Sequence, residues 1–204
     1  MIIVFAKAPV PGYAKTRLAK DIGDDRAAEL ASQMLQAAIE QAVLADCGPV
    51  ELCCTPDTSH PQFQQLRERY GVMLTQQGQG DLGARMQSAL ARVLHNRPWA
   101  ILTGTDAPNL DADYLREAAR VLDLQGRRHP HAVFAPTHDG GYAMIGVNRD
   151  LPQLFADMPW STPEVMPQSR LRLANSRIDC TELAMLHDID EVDDLIYVPL
   201  AWMK

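Results

Sequence analysis

The sequence predicts an α/β fold on a mixed, largely parallel sheet, and three observations carry that prediction. Short apolar runs alternate with helix-period segments through roughly the first 125 residues, the pattern of a parallel sheet covered by helices. These runs end in Pro- or Gly-bearing turns, as buried strands of such sheets do. Farther on, Ala132–Ala135 and Tyr142–Val147 are joined only by Pro136-Thr137-His138-Asp139-Gly140-Gly141. That connection is too short for a helical crossover, so the two strands are not a βαβ unit and the sheet is mixed.

The elements follow in order. Ile2–Phe5 is a buried strand feeding the loop Ala6–Leu18. Asp24–Ala45 is a helix with Asp24 or Asp25 as its cap and Leu30, Met34, Leu35, Ala38, Ile39 and Ala42 on one face. Gly48-Pro49 ends it, Val50–Cys54 is the next strand and Thr55-Pro56-Asp57 a turn. A polar helix at Pro61–Tyr70 stops at Gly71, and Val72–Leu74 is a third strand. The loop Gln76–Gly83 precedes a helix reaching about His95, and Trp99–Thr103 is the fourth strand. Asp111 caps a helix to about Leu124, followed by a turn at Gly126-Arg127-Arg128. After the strand pair come short helices at Leu151–Phe155 and Thr162–Asn175, a last strand near Leu183–Leu186, and a terminal helix beyond Asp190. No repeat or low-complexity linker divides residues 1–204, so one domain is expected.

Composition narrows the classes of function. With 47% hydrophobic and 22% charged residues the chain can fill a core. A net charge of −7 and no basic run leave no electrostatic footprint for nucleic acid or an anionic membrane. No apolar run reaches bilayer length, and the opening residues enter a strand without the features of a secretory signal. The four cysteines show no zinc-type spacing; Cys53 and Cys54 lie in an apolar run and read as buried reduced thiols. A cytoplasmic location is the expectation.

Loops at the carboxyl ends of parallel strands are where open α/β sheets bind ligands. The loop after the first strand gathers three cations, Lys7, Lys15 and Arg17, in an acidic chain, which suggests an anionic ligand such as a polyphosphate. It is not a Walker P-loop: Pro9 stands at the first glycine position and Ala14 directly precedes Lys15-Thr16. Gly12 can still let backbone approach a phosphate, Pro9 and Pro11 stiffen the turn, and Lys15 with Arg17 can straddle adjacent phosphates. A solvated basic loop is the plain alternative.

Asp106, in Gly104-Thr105-Asp106-Ala107-Pro108, belongs to the same sheet edge and can hold Mg²⁺ or form an Asx-turn. Asp188 and Asp190 lie in His187-Asp188-Ile189-Asp190; Asp190 is also a candidate helix cap, and Asp188 has no such explanation. If the last strand returns beside the fourth, Asp188 could share a metal with Asp106. Clustered carboxylates repel unless a cation stands between them, which favours a metal. Gly80-Asp81-Leu82-Gly83 with Arg85 opens a helix whose free N–H groups suit an anion or the edge of a base. Asp139-Gly140-Gly141-Tyr142 is a tight turn that can also let a substrate lie against backbone. Trp160-Ser161-Thr162 reads as a helix-cap region whose indole is either core or substrate wall.

Taken together, these stretches resemble the GT-A-like superfamily of nucleotidyltransferases and nucleotide-sugar glycosyltransferases. Within it the likeness is to small bacterial transferases labelled glycosyltransferase-like and associated with radical-SAM and selenoprotein genes. The matching residues are Phe5–Gly12 with Lys15–Leu18, Gly80–Gly83 with Arg85-Met86, Gly104–Pro108, Asp139–Tyr142 with Gly146, Trp160–Thr162, and Asp188-Ile189-Asp190 with Asp194-Leu195. The resemblance implies a three-layer α/β/α fold, a GT-A-like (nucleotide-diphospho-sugar transferase) architecture with a mixed, mostly parallel sheet of about seven strands. It further implies nucleotide binding by Lys7, Pro11, Gly12, Lys15, Arg17, Gly80, Asp81, Gly83 and Arg85. Asp139, Gly140, Gly141, Tyr142, Trp160, Ser161 and Thr162 would receive the acceptor, and Asp106, Asp188 and Asp190 would hold Mg²⁺ (or Mn²⁺).

Lys15, Arg17 and Asp106 would then carry catalysis. The sugar-phosphate nucleotidyltransferase loop Gly-x-Gly-x-x-Arg is missing; the Pro-x-Gly-x-x-Lys-Thr-Arg form is closer to guanylyltransferases acting on phospholactate-like acids, and molybdenum-cofactor nucleotidyltransferases are related. The expected partners are a nucleoside triphosphate or a nucleotide sugar, and a small-molecule acceptor. Nucleotidyl transfer is the leading expectation, with glycosyl transfer and a non-catalytic nucleotide-binding module as alternatives.

Overall fold

The structure is a computed structural model describing residues 1–126 and 129–202. Seven strands form one sheet: β1 (Ile2–Lys7), β2 (Val50–Thr55), β3 (Met73–Gln76), β4 (Ala100–Thr103), β5 (His131–Pro136), β6 (Tyr142–Val147) and β7 (Asp179–Glu182). Their order is β3-β2-β1-β4-β6-β5-β7. Only β6 runs against its neighbours, pairing antiparallel with β4 and β5, while every other pair is parallel. A six-residue connection can join β5 to β6 only as an antiparallel pair, so the mixed sheet follows from the chain length available there.

Among the described residues six α-helices accompany the sheet: α1 (Ala19–Ile22), α2 (Asp24–Leu44), α3 (Pro61–Tyr70), α4 (Leu82–Leu94), α5 (Ala112–Gln125) and α6 (Val165–Asn175). The continuous apolar run of β1 is explained by burial on both faces. Ile2, Val4 and Ala6 join a core with Leu35 and Ile39 of α2 and Leu115 and Leu122 of α5. Ile3 and Phe5 face the opposite core, with Met86 and Leu90 of α4 and Met166 of α6. A smaller cluster of Leu18, Leu30, Met34, Ile189 and Val198 ties the segment after β7 to α2.

Several boundaries differ from the expectation. Neither Asp24 nor Asp25 caps α2; Gly23 takes the cap position at φ 85°, with no side-chain bond, after the single turn of α1. The last strand lies at Asp179–Glu182, pairing in parallel with His131–Phe134, and not at Leu183–Leu186. It is an exposed polar edge strand, which hydrophobicity does not mark. Leu183 and Leu186 nevertheless donate to the carbonyls of Phe134 and Pro136, extending the contact with β5. The last strand therefore does not lie beside β4.

The helix expected from Thr162 begins at Val165, after a turn in which Ser161 sits at φ 62°. Leu151–Phe155 contains only a 3₁₀ turn at Pro152–Leu154, and the terminal helix is two 3₁₀ turns, Val192–Tyr197 and Leu200–Trp202. Glu191 is the cap residue of the first of these; the Asp190 side chain does not fill that role. The turn expected at Arg127-Arg128 lies outside the described residues. No helix among them is long and apolar enough to cross a membrane.

Candidate functional site

A cavity of about 720 Å³ opens over the carboxyl ends of β1 and β4, within the usual size range of small-molecule sites, roughly 300–1,000 Å³. Its position follows from topology. β1 and β4 are adjacent parallel strands, so the loops that follow them leave the sheet side by side. The segment beyond β7 reaches the same place by a different route: the Ile189 N–H donates to the Asp106 carbonyl at 2.9 Å. This brings Asp188 and Asp190 to the loop after β4 although β7 itself pairs with β5.

Lys15 is at the centre of that junction. Its side chain is 7% exposed, and Nζ lies 2.6 Å from Asp106 Oδ1 and 3.1 Å from Asp190 Oδ1. It also donates to the Ile189 carbonyl at 2.5 Å. Burial works against the charged form, but Asp106 and Asp190 outweigh it and hold the ammonium pKa above its ordinary value. Arg17 is more open, 58% exposed, with Nη1 3.8 Å from Asp190 Oδ2. Lys7 is exposed, its ammonium 4.0 Å from the centre of the Tyr13 ring. The sequence suggested Lys15 and Arg17 as neighbours on phosphates; the structure turns Lys15 inward onto carboxylates and leaves Arg17 and Lys7 facing the cavity.

Asp106, Asp188 and Asp190 all line the cavity, but among the described residues no three His, Cys, Asp or Glu side chains are placed to hold one metal ion. The cation between Asp106 and Asp190 is the Lys15 ammonium. The three carboxylates therefore do not fit a shared divalent ion as they stand. Asp188 makes no ion pair among the described residues; burial, with Asp139, Asp190 and Asp194 nearby, raises its pKa to about 6.

The rest of the wall comes mainly from the β3–α4 loop and α4, the β5–β6 turn and the β6–α6 connection. Arg85 lines the cavity, fixed by donating from Nε to the Asp81 carbonyl at 3.2 Å and from Nη1 to Gln77 Oε1 at 3.1 Å. Asp81 caps α4, its Oδ1 accepting from the Ala84 N–H at 2.8 Å. Gly80, Asp81 and Gly83 are not on the cavity surface, nor are Pro11 and Gly12. Gly12 sits at φ 72° and serves the turn. Gly83 serves packing, since a Cβ there would meet Trp160 Nε1 at 2.7 Å.

Asp139, Gly141, Tyr142, Trp160, Ser161 and Thr162 line the opposite side. Asp139 Oδ1 accepts from Thr137 Oγ1 at 2.5 Å and from the Gly141 N–H at 2.9 Å, closing the tight turn. Gly140 lies behind it, at φ 89° against Pro163. Tyr142 sits edge-on to Phe134 and to Trp160, with centroids 5.2 and 6.4 Å apart.

Two features were missed by sequence reasoning. Gln77 lines the cavity with its amide oriented by the Cys53 carbonyl at 3.1 Å and by Arg85; a polar residue just past a parallel strand was its only signal. The rings of His138, His187 and Tyr197 stack in series, at 3.9 and 3.7 Å between centroids, bracing the two loops that carry Asp139 and Asp188. Nothing in their spacing announces that contact.

Comparison with known proteins agrees with the architecture. A solved structure from Desulfovibrio desulfuricans G20, provisionally named a nucleotide-diphospho-sugar transferase, aligns with TM-score 0.83 and 28% identity. The alignment covers 95% of this chain and 83% of that one. CMP:2-keto-3-deoxy-manno-octonic acid synthetase complexed with CTP aligns with TM-score 0.57 at 15% identity over 97% of this chain and 95% of its own. Glucosyl-3-phosphoglycerate synthase from Mycobacterium tuberculosis, in complex with Mn²⁺, UDP and glucosyl-3-phosphoglycerate, aligns with TM-score 0.54 and 10% identity. That match covers 97% of this chain and 75% of that one. At such identities the last two speak to fold alone, a GT-A-like one. No curated protein matches the chain in sequence. Residues 25–162 match the model of a family described as "Uncharacterized protein conserved in bacteria (DUF2064)", and the chain belongs to that family.

Proposed function

We propose that the chain works as one transferase domain that moves a nucleotidyl group from a nucleoside triphosphate to a small anionic acceptor. The observation that carries this reading is the cavity itself. Arg17, Lys7 and Arg85 present cations over the first half of the sheet, and Asp139, Tyr142 and Trp160 form a separate wall over the second half. An acceptor oxygen attacks the α phosphorus in line, the bond from that phosphorus to the β-phosphate bridging oxygen breaks, and pyrophosphate leaves with the electron pair. Positioning and charge neutralisation supply most of the rate in such transfers.

Arg17 is placed to meet the charge that develops on the leaving phosphates, and its partner Asp190 keeps it at the cavity rim. Mg²⁺ (or Mn²⁺) enters the proposal as the counter-ion of the triphosphate. The likeness of the first loop to guanylyltransferases of phospholactate-like acids supports an acidic acceptor.

Glycosyl transfer from a nucleotide sugar is the second reading, favoured by the provisional name of the Desulfovibrio structure. Thermal-shift measurements with nucleoside triphosphates and nucleotide sugars, each with Mg²⁺, separate the two. A triphosphate at a hundred times its Kd should stabilise the protein by about 2.7 kcal/mol, a rise of roughly 5–10 °C in Tm for a chain of this size. Stabilisation by nucleotide sugars alone would reverse the order. With the substrate in hand, Arg17→Ala should cost about 2–4 kcal/mol of transition-state stabilisation, read as a fall in kcat/KM. Because Arg17 is mostly exposed, its melting temperature should stay close to that of the parent protein.

A further inference from the structure

We infer that the Lys15 ammonium is a resident cation of this site: it holds the place between Asp106 and Asp190 that a divalent ion would otherwise take, and so positions both carboxylates. The inference concerns cation occupancy and holds whichever group is transferred.

Three oxygens from two separate segments converge on Nζ: Asp106 Oδ1 at 2.6 Å, Ile189 O at 2.5 Å and Asp190 Oδ1 at 3.1 Å. A lysine ammonium has three N–H donors and no acceptor, so this set saturates it. Two carboxylates and a backbone carbonyl are also a hard oxygen set of the kind that binds Ca²⁺, Mg²⁺ or Mn²⁺. Their spacing around Nζ suits charge-assisted N–H···O bonds, which run near 2.7–2.9 Å, whereas Mg²⁺ draws its oxygens in to about 2.0–2.1 Å.

Backbone geometry gives independent support. Lys15 adopts φ 49°, in the left-handed region, although it carries a full side chain. A non-glycine residue is uncommon there, although Asp46, Asp157, Ser161 and Arg177 share that region of φ. Here the Ala14 N–H donates to the Val10 carbonyl and the Ala19 N–H to the Lys15 carbonyl, pinning both flanks. The strained turn aims the side chain inward, where it links the first loop, the loop after β4 and the segment after β7. The carboxylates stay partly open, Asp106 50% and Asp190 40% exposed, so only the lysine is sealed in.

Removing the ammonium while leaving room should turn this set into a divalent-cation site. Mn²⁺ binding, followed by electron paramagnetic resonance without nucleotide, is compared for the parent protein, Lys15→Ala, and Lys15→Ala combined with Asp106→Asn. Lys15→Ala is expected to gain one Mn²⁺ bound at least tenfold more tightly than any ion on the parent, and the double variant to lose that gain. Equal Mn²⁺ affinity in parent and folded Lys15→Ala would overturn the inference. Should Lys15→Ala not fold, the parent protein decides the matter by nitrogen-15 NMR of lysine ammonium groups. The Lys15 signal, assigned by its absence from Lys15→Met, should exchange slowly and persist at saturating Mg²⁺; its loss on adding Mg²⁺ would overturn the inference.

Discussion

At the scale of single residues, Gly83 shows how a position outside the cavity can govern its wall. A Cβ there would stand 2.6 Å from the Phe155 carbonyl and 2.7 Å from Trp160 Nε1. Neither neighbour can step aside freely, because Phe155 is buried in the core and the Trp160 ring faces Tyr142. Gly83→Ala should therefore cost about 1–3 kcal/mol as an overpacking change, measured by denaturant unfolding, and should shift the tryptophan emission spectrum as the indole is displaced. Gly80 sits at φ 97° at the same helix start, but its substitution would leave the Trp160 contact alone, so the emission should hold. The sequence showed a glycine-rich helix start facing a ligand. The structure assigns its glycines to turn and packing, and leaves Arg85 and Gln77 on the cavity surface.

At the scale of elements, α4 is fastened to the sheet by a charged pair as well as by its apolar face. Glu51, the second residue of β2, is 1% exposed in its side chain and accepts from both terminal nitrogens of Arg92 on α4. Thr75 Oγ1 on β3 donates to the same carboxylate at 2.5 Å. Removing Arg92 strands a buried charge, which in a sealed site costs about 3–5 kcal/mol. Arg92 is 49% exposed and water can partly replace it, so Arg92→Leu should cost about 2–3 kcal/mol in chemical denaturation. Replacing both partners, Glu51→Leu with Arg92→Leu, should recover part of that loss.

Such couplings explain which elements the sequence made legible. β1 and β4 were plain because burial on both faces leaves an unbroken apolar run, β2 because only Glu51 interrupts Val50–Cys54, and α2 because its buried face repeats at helical spacing. β7 was misplaced because an exposed edge strand, Asp179–Glu182, carries no such run. The candidate site was legible as loops at one sheet edge, since topology alone brings them there. The partner of Lys15 was not, because choosing carboxylate over phosphate depends on where the strap after β7 crosses, a contact spanning 174 residues.

At the scale of the whole molecule, the acidic side of the cavity should leave a mark on stability as a function of pH. Asp139, Asp188, Asp190 and Asp194 share one region; the buried Lys15 answers Asp106 and Asp190, and the more open Arg17 also faces Asp190. Asp188 bears the cost: burial first, then the neighbouring carboxylates, raise its pKa from about 3.8 to about 6. Between those values the folded protein holds a proton that the unfolded chain has released. The contribution is thus fully present below about pH 4 and is lost as pH rises through about 6. The carboxyls of Glu40 and Glu182, held below their usual range by hydrogen bonds from Tyr70 and Arg170, act in the opposite sense. The total profile is therefore a sum in which Asp188 is hidden, and the difference between two proteins isolates it. Asp188→Asn should melt higher than the parent at pH 7.5, by about 2 °C or more, with the gap closing as pH falls from 6 to 4. Melts recorded with a chelator, which keeps stray cations from answering the carboxylates, test this directly. Parallel profiles across that window would mean that Asp188 is charged at no cost in the folded protein, and that the cavity's carboxylates are balanced without it.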